Sequence, residues 1–483
     1  MKRLGFLGSA LFVAVLSAQT VSGQNAVDVL RYSSDQVLGD AYQLSTGGAF
    51  TMFYGSTANA MLNPASAGLA TGSGFSYGVG VRNTSDESGV FGTGGLTAMN
   101  RQALAISDFS YLYKFPTTQG SLVLGWSINK TNDFNRTSRT SGFNTSSSIV
   151  DRFVRDDYYH YSAWSVYAID SVNGVPRSVW RLGTFSGVQQ DYELTESGQS
   201  HEMNFFWATE FKPGVFVGAS VVFPFGSYQY RMTFIETDIN NSYNNLALGN
   251  DITDLVLQDD IEARFRSAYV RIGTVLNPVP WLNISGSYRS RATYNISEEY
   301  RTRMQSSFDN NDVFDDRFNG EVEYEVIAPA RYSAGIGVTF DRFKAGFTSE
   351  WADYGDARIA FDASVFDRDL ALLERSINAD AASSFRGTMR LALAAEYGFT
   401  KDVAVRAGYV FQPDQERALK RNAKTASAGV SWKLGKNMSF DAGMRMHLFD
   451  DANTVYDEAE GRFLTTSDVV QVHGFGTFRF RFR

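Results

Sequence analysis

From Leu282 to Ile296 the chain alternates with a period of two. Leu282, Ile284, Tyr288, Ala292, Tyr294 and Ile296 fall on one side, and Asn283, Ser285, Ser287, Arg289, Arg291, Thr293 and Asn295 on the other. Side chains of a strand point alternately to its two faces, so this run is a β-strand with one oily and one wet face. The wet face is too charged to be the core of a β-sandwich. The pattern returns at Met438, Phe440, Ala442, Met444, Met446 and Leu448, set against Asp441, Arg445 and His447. It closes the chain, where Phe478, Phe480 and Phe482 alternate with Arg479, Arg481 and Arg483.

From Phe75 onward about fourteen such segments can be marked, and their connections alternate between short and long. The expected strands include 75–83, 103–115, 121–132, 201–211, 215–236 and 261–276 in the first half. The second half holds 320–340, 343–359, 385–399, 403–412, 425–434 and 438–449, besides the run from 282 and the terminal strand. Short turns at Pro116, Pro213, Pro278, Asp341, Lys401 and Lys436 all fall on one side. Outer-membrane barrels have this layout, short periplasmic turns and long external loops with an even strand count. Only closure satisfies every backbone group of such strands in lipid. The expectation is an all-β, antiparallel transmembrane barrel. The longest connection, 134–200, carries Asp156-Asp157-Tyr158-Tyr159-His160-Tyr161 and is expected to have structure of its own, since long structureless loops are uncommon in compact folds.

Composition agrees. The 483 residues include 38 Phe, 24 Tyr and 43 Gly but no Cys. Mean hydropathy is slightly polar (−0.22), as expected when lipid-facing and lumen-facing residues alternate. Lys2 and Arg3, the apolar stretch from Leu11 to Leu16 and the small residues Val21-Ser22-Gly23 make residues 1–23 a secretory signal peptide. After it no apolar run approaches the ~20 residues of a membrane-spanning helix. Formal charge is −8, and removing Lys2 and Arg3 with the signal takes it to −10, which argues against nucleic acid as a partner.

Between signal and barrel, residues 24–72 form a different kind of segment. Residues 25–46 suggest one short helix. Residues 47–69, rich in Gly, Ala and Ser and turning at Asn63-Pro64-Ala65, show neither period and read as coil and turns. A small segment of this kind ahead of a barrel at 73–483 suits a plug in the lumen. Leu38-Gly39-Asp40-Ala41, Gly47-Gly48-Ala49-Phe50 and Asn59-Ala60-Met61-Leu62-Asn63-Pro64-Ala65 resemble the N-terminal hatch of the FadL-type family of outer-membrane transporters. The resemblance continues at Tyr288-Arg289-Ser290, Ile327-Ala328-Pro329-Ala330, Glu350-Trp351-Ala352-Asp353-Tyr354 and Val405-Arg406-Ala407-Gly408-Tyr409. The chain departs from the family at Asp40, where a basic residue is common, and at Arg483, which follows the usual terminal aromatic.

The resemblance implies fourteen strands, residence in the outer membrane, and passive uptake of long-chain fatty acids or hydrocarbons. Partners would be the lipid bilayer, a hydrophobic small-molecule ligand, and the barrel-assembly machinery acting on the C-terminal strand. The implied route runs from external loops to a pocket beside the plug, then sideways through a gap at a kink of the third strand, near Gly125 to Asn132. Phe50, Met52, Phe53, Met61 and Leu62 either pack the plug against the wall or also line the ligand site; flexible Met suits varied shapes. Arg289, Arg291, Glu350, Arg390, Arg406 and Arg445, with Glu396 and Asp441, are expected to face the lumen. There they either hydrate it and bond the plug, or steer a substrate carboxylate.

Catalytic patterns are scarce. His160, His201, His447 and His473 lie far apart without metal-ligand spacing, and Asp451, Asp457, Glu458 and Glu460 lack an ordered calcium-loop pattern. No enzyme activity, cofactor or metal is expected. Two other functions stay open: a barrel used as an adaptor in protein secretion, with 134–200 as its docking surface, and a nonspecific porin.

Overall fold

A computed structural model describes residues 26–33, 39–90, 96–244, 251–361, 368–417, 421–458 and 461–482. The signal-peptide expectation lies outside these residues. Fourteen antiparallel strands form the wall: β1 (Ser73–Val90), β2 (Thr97–Phe115), β3 (Leu122–Asp133, continued by Arg136–Asn144), β4 (Val188–Lys212), β5 (Val215–Thr237) and β6 (Ile252–Val279). They continue with β7 (Leu282–Arg289 and Ala292–Phe308), β8 (Val313–Ala328 and Arg331–Phe340), β9 (Phe343–Asp353 and Arg358–Phe361) and β10 (Gly387–Gly398). The last are β11 (Val403–Gln412), β12 (Ala423–Lys433), β13 (Met438–Glu458) and β14 (Gly461–Phe482). The barrel closes because β1 pairs along its whole length with β14, from Ser73 opposite Phe482 to Val90 opposite Thr465. The short turns share one end; Gly214 and Asp341 there take the positive φ that tight reversals require.

Several strands run further than the alternation suggested. β1 continues past 83, β4 begins before 201, β6 before 261, and β13 continues past 449. The reason lies in a change of surroundings. Near the turns the wall is a belt whose outward side chains are apolar. Phe223, Phe225, Ile272, Tyr332 and Trp351 are all more than a third exposed, and Tyr288, Tyr332 and Trp351 form a ladder of rings 5.2 and 5.7 Å apart. Above it stands a crown with the opposite chemistry. Along β5, outward Val221, Phe223 and Phe225 give way to outward Ser227, Gln229 and Arg231, while the inward set passes from Gly218 and Ser220 to Tyr228, Met232 and Phe234. Hydrogen bonding continues across this boundary, but the oily-out pattern does not.

In β7 the two halves differ in phase. Arg289 lies opposite Arg271 of β6 and Thr293 opposite Ala268, so three residues of β7 span two of β6. This β-bulge turns the strand over. Ser285 and Arg289 point inward below it; Ala292, Tyr294 and Ile296 point inward above it. Arg291, expected in the lumen, therefore lies outside: it is exposed and pairs with exposed Asp356 at 3.0 Å.

The lumen holds α1 (Ala26–Ser33), α2 (Ala41–Ser45), α3 (Thr57–Leu62) and a 3-10 turn over Pro64–Leu69. α1 and α2 lie in 25–46, where one short helix was expected, and α3 and the 3-10 turn appear where coil was expected because each is too short to display a period. They are set by caps instead: Asp40, Ser56 and Asn63 accept from the backbone N–H groups of Gln43, Asn59 and Ala65. The long connection after β3 folds into a cap over the mouth. It contains α4 (Ile149–Phe153), α5 (Asp157–Ser165) and a hairpin of Ile169–Val172 with Val175–Ser178. Ser148 and Asp151 form a capping box at α4. Phe153, Trp180, Tyr192, Phe234 and Phe463 join the two sides of the crown in one buried cluster. One further helix, α6 (Arg368–Ser384), lies between β9 and β10.

Candidate functional site

The Asn63-Pro64-Ala65 turn is the point where the plug meets the wall most closely. Asn63 donates from Nδ2 to the carbonyls of Thr274 (3.0 Å) and Gly286 (3.3 Å), while its Oδ1 accepts from the Ala65 N–H (3.1 Å). Two wall glycines make room. A Cβ on Gly273 would stand 2.0 Å from Asn63 Oδ1, and one on Gly218 would stand 2.6 Å from the Ala65 nitrogen. The turn is thus seated in a notch cut by missing side chains.

A chain of alternating charges ties α2 to the opposite wall. Asp40, buried at the helix start, meets Arg479 at 2.7 Å. Arg479 also contacts Asp441, Asp441 receives Arg406 at 2.7 Å, and Glu396 takes Lys344 at 3.0 Å and stands 3.6 Å from Arg406. The Arg406 guanidinium stacks 4.2 Å over the Tyr42 ring. Such buried networks hold only when each member is partnered, since a lone charge in that setting is strongly destabilising. Asp40 is therefore the fixed end of the plug, a role its sequence context did not announce; the signal was a carboxylate three residues before Gln43 with terminal Arg residues to meet it.

The other predicted charges are distributed around the plug. Arg390 donates to the Gly47 carbonyl (2.8 Å), and Arg331, absent from the expected set, donates to the Ser33 carbonyl (2.6 Å) and pairs with Glu350 at 3.6 Å. Arg289 stacks 4.2 Å from the Tyr269 ring, and Arg445 is buried on β13.

The five apolar plug residues do not converge on one pocket. Phe50 packs with Tyr42, Ala49, Ala392, Ala394 and Val410, whereas Met52 packs with Ala65, Phe216 and Val275. Met61 is buried; Phe53 and Leu62 keep part of their surface, and Phe53 bridges both clusters.

Between β2 and β3 the wall is unevenly closed. Pairing runs from Phe115 opposite Leu122 to Asp108 opposite Asn129. Beyond that point β3 keeps its partner β4, with a bulge between Lys130 and Asn132, while no further β2–β3 pair forms among the described residues. Arg82 and Lys130 both contact the buried Asp133 at the bend. On the outer side of β2 at this height, Leu104 and Ile106 are exposed.

Above the plug, the cap is held by buried polar anchors that apolar periodicity could not reveal. Glu236 accepts from the Ile149 N–H (2.7 Å), Gln190 Nε2 (2.7 Å), Trp180 Nε1 (2.9 Å) and the Ser148 hydroxyl. Tyr159 donates to Asp259 at 2.7 Å, and burial pushes its hydroxyl well above its ordinary range, so it remains a neutral donor. His160 accepts from Trp164 Nε1, His201 stacks on Phe225, His447 bonds Thr425, and His473 lies on the adjoining strand opposite Arg445. Among the described residues no cluster of His, Asp or Glu could hold a metal ion.

A closed barrel of fourteen strands, apolar outside and stopped by its own N-terminal segment, is a plugged outer-membrane barrel. Residues 235–482 match the family described as outer membrane protein transport protein (OMPP1/FadL/TodX), and the chain belongs to that family. No curated protein matches it. A FadL homologue of Pseudomonas aeruginosa has the same fold at 12% identity, with a TM-score of 0.59, over 92% of this chain and 99% of that one. The toluene transporter TodX of P. putida is similar at 13% identity and a TM-score of 0.55, over 93% and 100%. The toluene transporter TbuX of Ralstonia pickettii is similar at 15% and 0.52, over 93% and 99%. At these identities the likeness is one of fold. The protein is an outer-membrane β-barrel transport protein.

Proposed function

We propose that this protein takes up hydrophobic small molecules, long-chain fatty acids or hydrocarbons, passively across the outer membrane. The observation that carries this reading is the inverted crown. A water-filled porin presents polar groups to its pore, whereas here the interior above the plug is built from Tyr192, Phe234, Phe265, Tyr294 and their neighbours. Apolar cargo gains by leaving water for such a lining. The ligand reaches the plug from the crown, where partly exposed Leu62 is the first of the five plug residues to meet it; Phe50, Met52 and Met61 form the support behind, and Phe53, beside Lys401, Asp402 and Lys436 of the short turns, is the last. It leaves sideways where β2 and β3 part, beside Asp133. The solved toluene transporters with this fold favour a hydrocarbon cargo. The family match and the solved structures of this fold lend the adaptor reading no support; within 145–187 Ile149, Phe153, Tyr159 and Trp180 pack inward, while Tyr161, Tyr167 and Val175 are exposed.

Uptake of a labelled long-chain fatty acid, an alkane and a monoaromatic, in a host lacking its own transporter, tests the proposal beside a Pro64→Ala variant. Uptake that falls in the variant supports the route past the plug. A folded, surface-exposed barrel that takes up none of the three overturns it.

A further inference from the structure

One seam of the wall is closed without strand pairing. β9 and β10 bond in register from Phe343 opposite Tyr397 to Asp353 opposite Gly387. Above that height Arg358–Phe361 of β9 pairs with β8, and among the described residues no strand lies along its other edge. Helix α6 lies there instead. Asn378 Oδ1 accepts from the Ile359 N–H at 2.8 Å, Asn378 Nδ2 donates to the Ile359 carbonyl at 2.9 Å, and Glu374 accepts from the Phe361 N–H at 3.0 Å. A side-chain amide reproduces both halves of a peptide group, so Asn378 satisfies a strand edge that would otherwise be left bare.

The two sides of α6 are held differently. Its inward stripe, Leu373, Ile377 and Ala381, packs with Val29 and Tyr32 of α1 and with the oily wall. Its C-terminal end is anchored to the loop after β11. The Arg417 N–H donates to the Ser384 carbonyl (2.7 Å), Arg417 Nε to Phe385 (2.7 Å) and Arg386 Nε to Asp414 (3.0 Å). Among the described residues three side-chain hydrogen bonds to β9 thus stand in place of a ladder, next to a firm pivot. The seam starts just above Trp351 and Met389, opposite each other and both exposed on the apolar belt.

We propose that α6 is a lateral gate. Pivoting about its anchored C-terminal end, it opens the β9–β10 seam to an apolar molecule dissolved at the outer-leaflet surface and, in leaving, frees one side of α1. The cargo rests on the uptake reading above; the opening does not. Opening breaks side-chain hydrogen bonds and the packing of the α6 stripe but no strand ladder, and the apolar cargo covers the stripe that is bared.

The chain has no native cysteine, so a single one reports cleanly. Leu373→Cys places a thiol on the buried stripe of α6 away from the pivot, and Ala60→Cys places one in the buried plug. In barrels in phospholipid vesicles, a membrane-impermeant maleimide is expected to label Leu373→Cys and leave Ala60→Cys unmodified. Adding Asn378→Ala should speed the first reaction about tenfold, as loss of two hydrogen bonds allows. Should Asn378→Ala not fold, Glu374→Ala replaces it, with an expected gain of about threefold. Labelling of Leu373→Cys no faster than that of Ala60→Cys in both backgrounds overturns the gate. Uptake of labelled decane separates the two readings. A parent chain that takes up none counts against the transport proposal and leaves the gate to the labelling result. Parent uptake that stays unchanged while Asn378→Ala opens faster overturns α6 as the way in.

Discussion

Belt and crown are made from the same fourteen strands, yet they obey opposite rules. In the belt the outer face meets lipid and the inner face meets the plug, so apolar residues point out and Ser, Gly, Arg and Asp point in. In the crown the outer face meets water, and the inner face meets the cap, α1 and α6; the polarity reverses. The wall makes the reversal in two ways. β5 keeps its phase and changes its residues, passing from outward Phe225 to outward Ser227. β7 keeps its residues in one alternating run and changes its phase with a bulge at Ser290-Arg291. What counts as the oily face is therefore set by the medium at each height, not by the strand.

One deletion and three substitutions would break or sharpen this comparison. Deleting Ser290 removes the extra residue and should turn Tyr294 and Ile296 out to water. At about 1.5–3 kcal/mol for each large side chain, that predicts a loss near 5 kcal/mol and failure of the upper wall to assemble. Native yield and native heat-modified gel mobility for the deletion would contradict the phase argument. Phe234→Ala empties a fully buried site between crown wall and cap and should cost about 3–5 kcal/mol, visible as protease cleavage within 145–187. Ile272→Arg puts a charge on the lipid face of β6 at a cost of about 2–4 kcal/mol in urea unfolding from vesicles. Arg264→Ile, on the same face of the same strand but in the crown, should change stability by no more than about 0.5 kcal/mol. Equal penalties for the last two would erase the boundary drawn between the regions.

The legible part of the fold followed from periodicity. Alternation in β7, β13 and β14, with short turns all at one end, led to a closed barrel with an even number of strands, and the ordered plug motifs led to the family. Periodicity failed where lengths were small or surroundings changed. Helices α2 and α3 span five and six residues, too few for a period, and are written in their caps Asp40 and Ser56. The crown ends of β1, β4, β6 and β13 escaped because their outward residues look like loop.

By itself the sequence determined which residues share a face within each unbulged stretch, because strand geometry is local and its period is two. It also determined that the chain is stopped by its own N-terminal segment, through motifs that stand in order. Only the tertiary structure decided which way each face points and who partners the charges. Arg291 shows this most plainly: one extra residue opposite β6 carries it from the lumen to the surface. Asp40 shows the converse, since its partner Arg479 lies at the far end of the chain and meets it only because β14 closes the barrel on β1. Register and closure are long-range properties, and no local pattern contains them.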